Sequence, residues 1–237
     1  MAKLTPEQFA DGVSQALGGR LVSLLLYGSA ASGTHVPGRS DVNTLLICDA
    51  VDEGLFAALE PALVRWVRAG NPAPLILAER EWRESADAFA IEHEEIRHAH
   101  RVLAGRDSWA GISVRREDLR RQVEFELMGK LVRLRQLYAA FRSDRKRLTQ
   151  VIVASTAGVF TMLRAALRLA GRTAPAAPED LVRQAAVVIG FAPESLDDVV
   201  AHVRGRRRLA LAARDPRAAA YLAAVVRTAE FVNRLSL

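Results

Sequence analysis

The sequence predicts an α+β unit, a mixed sheet flanked by helices, over residues 1–111, followed by an all-α helical bundle over 112–237. Three observations predict this. Up to about Gly111, short apolar runs bounded by Gly, Pro and Asp alternate with helix-length amphipathic segments. From about Arg115 onward strand signals stop and long amphipathic repeats take over. The charge divides near the same point. Residues 1–115 hold 11 basic and 15 acidic side chains (net −4), and residues 116–237 hold 22 and 12 (net +10), within an overall charge of +6. The 237 residues suffice to bury two modest cores.

Thr5-Pro6-Glu7 opens the first helix, with Thr5 as N-cap and Pro6 at the first helical position. Gly18-Gly19 ends it. Leu21 to Tyr27 is almost continuously apolar, the pattern of a strand covered on both faces. Val42 to Cys48 reads as a second strand and Leu75 to Ala78 as a third. Between them, Leu55, Leu59, Leu63, Trp66 and Val67 share one helical face. Glu79 to Asp87 is a short helix, and Phe89 to Ile96 a fourth strand with Phe89 and Ile91 on one side. In the second half, Leu119, Val123, Leu127, Leu131, Leu134 and Tyr138 form a long helix. Helices over Leu148–Leu169, Pro178–Ile189, Pro193–Arg204 and Pro216–Leu235 follow, as in an up-down bundle.

A single cysteine, Cys48, excludes an internal disulfide framework and fits a reducing compartment. Residues 1–6 lack the apolar core of a signal peptide. The longest apolar run, Val151–Leu163, is too short to span a bilayer. A cytoplasmic chain with no membrane partner is the expectation.

The segment Tyr27-Gly28-Ser29-Ala30-Ala31-Ser32-Gly33, followed by Ser40-Asp41-Val42-Asn43, carries the chemistry. A Gly-Ser turn directly after a buried strand brings backbone N–H groups close to a phosphate, and the Ser29 hydroxyl adds a donor. Asp41 opens the next strand. Residues two apart on a strand point the same way, so Asp41 and position 43 would face one cleft. A pair of carboxylates there would suit Mg²⁺, which takes hard oxygen ligands together with substrate phosphates. A third carboxylate would activate an attacking hydroxyl.

Gly28, Ser29, Gly33, Ser40 and Asp41, in this order, resemble the motif of the nucleotidyltransferase superfamily related to DNA polymerase beta, which includes aminoglycoside- and antitoxin-type members. Its pattern is Gly-Ser, a small-residue helix start, then Ser-Asp-x-Asp on the next strand. The resemblance covers about the first 110 residues, and the helical remainder resembles the bundle that follows this domain in aminoglycoside-type relatives. It implies transfer of a nucleoside monophosphate from an NTP to an acceptor hydroxyl. Gly28, Ser29 and Ser40 would bind the nucleotide, Asp41 and Asn43 would hold Mg²⁺, and Asp41 and Glu92 would be catalytic. Glu94 is the alternative third carboxylate. The acceptor would lie between the two domains.

One departure from the family pattern is chemical. Asn43 stands where a second metal-binding aspartate is expected, which weakens the hold on Mg²⁺ by one negative charge. The loop from Gly33 to Ser40 is also about one residue longer than usual. Two alternatives therefore stand beside an active transferase. One is a catalytically degenerate protein of this fold acting through nucleotide or protein binding. The other is a toxin–antitoxin component, although no Arg-x(4–6)-His spacing of a helical RNase partner occurs here. The +10 of the second half disfavours a polycationic aminoglycoside acceptor. The Arg204-Gly205-Arg206-Arg207-Arg208 run leaves a nucleic-acid partner open, though no stacking aromatics interleave with it, and a homodimer is also left open. The histidines of His93–His100 lack the i, i+4 spacing of a zinc helix.

Overall fold

The computed structural model describes residues 4–36, 41–109 and 111–235. The chain divides into two compact units, Met1–Arg115 and Arg116–Leu237. The first is a mixed sheet flanked by helices, and the second is entirely helical among its described residues.

In the first unit, α1 (Pro6–Leu17) starts with a reciprocal cap. The Gln8 amide donates to the Thr5 hydroxyl and the Thr5 amide to the Gln8 side chain, at 3.2 and 3.0 Å. The strands are β1 (Leu21–Tyr27), β2 (Asn43–Cys48), β3 (Leu75–Ala78) and β4 (His100–Gly105), in the spatial order β3-β2-β1-β4. β1 pairs antiparallel with β2 and β4, whereas β2 and β3 are parallel. The crossover between β2 and β3 is α2 (Glu53–Arg68), capped by Asp52, whose carboxylate accepts the Leu55 amide at 2.7 Å.

Both faces of this sheet are covered, which is why β1 and β2 read as largely apolar runs. On one face Leu24 and Leu46 pack with Phe9, Val13, Leu55, Leu59 and Trp66 from α1 and α2. The Phe9 and Trp66 rings stack at 4.4 Å. On the other face Leu25, Leu45 and Ile47 pack with Trp82 of α3 (Glu79–Glu84) and Ile96 of α4 (Ala90–His98). Arg20 clamps the strand ends from outside, binding Asp49 at 3.2 Å and Asp52 at 2.8 Å.

The helix α4 corrects the sequence reading, which made Phe89–Ile96 a strand. Ala90, Ile91, His93, Glu94 and Ile96 are the buried positions, a three-to-four spacing that a strand cannot produce. Glutamate is also a good helix former and is depleted in strands. The fourth strand begins instead at His100.

In the second unit, α5 (Arg116–Phe141), α6 (Arg145–Leu169), α7 (Pro178–Ile189), α8 (Glu194–Val203) and α9 (Pro216–Arg234) form the bundle. α6 is its centre, packing against each of the other four. The Val151–Leu163 run lies inside this 25-residue helix, which is long and apolar enough to cross a membrane. Its apolar window is 56% buried within the bundle, as in the core helix of a globular fold. Tyr221 of α9 is buried against it and shares a 2.9 Å hydrogen bond with the Ser155 hydroxyl. Burial pushes the Tyr221 phenol up to about 12.

Candidate functional site

Gly28 leaves β1 with φ +71, a conformation that glycine adopts without strain, and begins a single 3₁₀ turn, Gly28–Ala30. The turn consumes part of its own backbone. The amides of Ala31 and Ser32 donate to the Gly28 carbonyl at 3.1 and 3.0 Å, and the Thr34 amide donates to Ser29 at 3.0 Å. The Gly28 amide donates to the Ala99 carbonyl at 3.2 Å, fixing the turn to the end of α4. Among the described residues, the amides of Ser29 and Ala30 and the half-buried Ser29 side chain are donors not used inside the turn. These are the groups the turn can offer to an anion.

Asn43 opens β2 directly opposite Tyr27. Its Nδ2 would lie 3.5 Å from a Cβ placed on Gly28, so the Asn43 amide reaches the turn. Asp41 does not share this strand. β2 starts at Asn43, and Asp41 lies on exposed chain before it. Asp41 is thus placed two residues ahead of the paired strand rather than on it. Ser40 lies outside the described residues.

Glu92 reaches the same region by a different element. It sits in the first turn of α4 rather than on a strand. Glu95, three residues on, shares that helical face. The negative charges of both act on Tyr27, whose phenol is pushed up to about 12 by burial first and by Glu92 and Glu95 second. Glu95 is brought to this face by the helix, since a strand would turn it away from Glu92. Glu94, the alternative to Glu92, is buried and bound by Arg97 at 2.8 Å and His98 at 3.3 Å. It holds α4 together. Tyr27, paired with both Asn43 and His100, was not singled out by sequence, where it reads only as the last residue of an apolar strand.

The donors do not fit a two-carboxylate Mg²⁺ site. Among the described residues no three His, Cys, Asp or Glu side chains are placed to hold a metal ion. The four strands, LVSLLLY, NTLLIC, LILA and HRVLAG, contain no acidic residue at all. One exposed aspartate and one neutral amide are what the motif contributes.

The other sequence candidates lie apart from this region. His93 is fully buried, stacked on Trp82 at 3.8 Å, and burial pushes its imidazole down to about 4. His100 bonds to the Ile96 carbonyl at 2.7 Å. Of the basic run, Arg204 and Arg206 bind Glu179 and Arg207 binds Asp198, so much of its charge is neutralised within the bundle.

The architecture, a mixed four-stranded sheet with flanking helices and a C-terminal helical region, matches a nucleotidyltransferase fold. Among solved structures it is similar to spectinomycin adenyltransferase AAD(9) from Enterococcus faecialis, determined with ATP and spectinomycin. The similarity covers 97% of this chain and 100% of that one, with a TM-score of 0.61 and 12% identity. At that identity the likeness is one of fold. No family model matches the chain, and no curated protein matches its sequence.

Proposed function

We propose that this chain binds the phosphates of a nucleotide at the Gly28–Ser29 turn without a bridging Mg²⁺ ion. The observation that carries the reading is the neutral Asn43 amide beside the turn. A second aspartate at 43 would repel a phosphate unless a cation lay between them. For charges about 4 Å apart near a protein surface that repulsion is about 4 kcal/mol. The neutral Asn43 removes it, so the turn can accept a phosphate without metal. The Ser29 amide and hydroxyl would donate to its oxygens. Support also comes from the fold neighbour, which was determined with ATP. The buried Cys48, its thiol pushed up to about 11 by burial, suits a reducing cytoplasm.

A second reading has its own observation. The charges of Glu92 and Glu95 reach Tyr27, beside Asn43, so α4 could supply the carboxylate the strands lack. In that case Asp41 and Glu92 serve transfer to an acceptor hydroxyl.

Calorimetry of ATP and GTP binding, with and without Mg²⁺, and a labelled-NTP transfer screen separate the two readings. The first expects binding that Mg²⁺ does not strengthen, no transfer, and about tenfold weaker binding in Ser29→Ala, the size of one hydrogen bond to a charged acceptor. Transfer that disappears in both Asp41→Ala and Glu92→Gln overturns it in favour of the second.

A further inference from the structure

The bundle contains a cleft of about 660 Å³ between α5, α6 and α9. Its size lies in the range of small-molecule pockets, roughly 300–1,000 Å³. Two glycines line it from facing helices, Gly129 of α5 and Gly158 of α6. Glycine is the poorest helix former after proline, so its use in the interior of two long helices calls for a local reason. Crowding does not supply one at Gly129, where an added Cβ would meet nothing within 4 Å. At Gly158 it would meet only the flexible Lys130 side chain, at 3.0 Å.

The walls are apolar. Leu134, Val159 and Val225 are buried there, while Phe125 lines the cleft with 77% of its surface exposed. Two cations also line it, Lys130 and Arg133. Glu126 binds the Lys130 ammonium at 2.6 Å and offsets one of them, which leaves a net positive charge beside a hydrocarbon surface.

We propose that this cleft is a binding site for a small organic anion with an apolar body, such as a medium-chain carboxylate. Its hydrocarbon part would cover Phe125 and lie in the space over Gly129, with its carboxylate at Arg133 and Lys130. The site is independent of the nucleotide reading, because every residue that lines it belongs to the bundle.

Decanoate binding to the full chain, measured by calorimetry, tests the proposal, with decanol as the neutral control. Decanoate is expected to bind about tenfold more tightly than decanol, the worth of a charge-assisted bond, and Arg133→Gln to erase that preference. Gly129→Leu is expected to abolish binding while keeping or raising the melting temperature, since leucine fills the space and favours helix. If Gly129→Leu fails to fold, Phe125→Ala, at an exposed position, is expected to weaken decanoate binding instead. Three results would each overturn the proposal: no decanoate binding at millimolar concentration, equal affinity for decanol, or a cleft covered by a second copy of the chain that Phe125→Ala releases as monomer.

Discussion

Asn43 and Gly28 meet at adjacent strand ends, and the amide at 43 decides how much negative charge lies there. Asn43→Asp is nearly isosteric and adds one charge. ATP binding without metal is expected to weaken, and Mg²⁺ is expected to restore it, which paired titrations with and without Mg²⁺ would read. A second residue-level prediction concerns pH. The buried His93 imidazole is pushed down from 6.5 to about 4, so the folded chain binds fewer protons than the unfolded one between those values. Stability is then full above about pH 6.5, falls as pH drops towards 4, and loses roughly 3 kcal/mol across that window. His93→Phe keeps an aromatic ring against Trp82. It is expected to flatten this part of the stability profile in urea unfolding at a series of pH values.

At the scale of elements, α4 contributes most that is new. Its buried side anchors it through Ile96 on the Leu25/Leu45/Ile47 face, and the Glu94–Arg97 pair braces it. The charges of its Glu92 and Glu95 act on Tyr27. Replacing both by glutamine is expected to lower the Tyr27 phenol from about 12, and burial is expected to keep it above the ordinary tyrosine value. Tyrosine-selective NMR titration, set against Tyr138 and Tyr221, would read this. An unchanged Tyr27 would mean that α4 does not present these carboxylates to the strand end. Phe89–Ile96 reads as a strand because so short a segment carries too few apolar positions to separate a two-residue from a three-to-four-residue period. Covering the sheet face decides between them. The strands β1 and β2 were legible because burial on both faces leaves an apolar run that no surface helix produces.

At the scale of the whole molecule, each unit has its own core. All three tryptophans, Trp66, Trp82 and Trp109, fall in the first unit. Tryptophan fluorescence therefore follows the sheet unit, while far-ultraviolet circular dichroism follows both. Trp66→Ala removes a fully buried ring stacked on Phe9 and is expected to cost about 3–5 kcal/mol. The fluorescence transition should move to lower temperature, leaving a helical signal that melts later. A single shared transition in the variant would show that the two cores unfold as one.

The sequence by itself determined the order of strand, Gly-Ser turn and strand, the change from sheet to bundle, and the neutral residue at 43. Each of these is written in local pattern: an apolar run, a residue that tolerates positive φ, the identity of one side chain. The tertiary structure alone decided which carboxylates approach the turn. Asp41 fell outside the strand, Glu94 turned inward to Arg97 and His98, and Glu92 and Glu95 came to Tyr27 on a helix. The physical reason is that a side chain's direction follows from the backbone state of its own residue and from the surface its element must bury. For a short amphipathic segment both are fixed by the sheet it packs against.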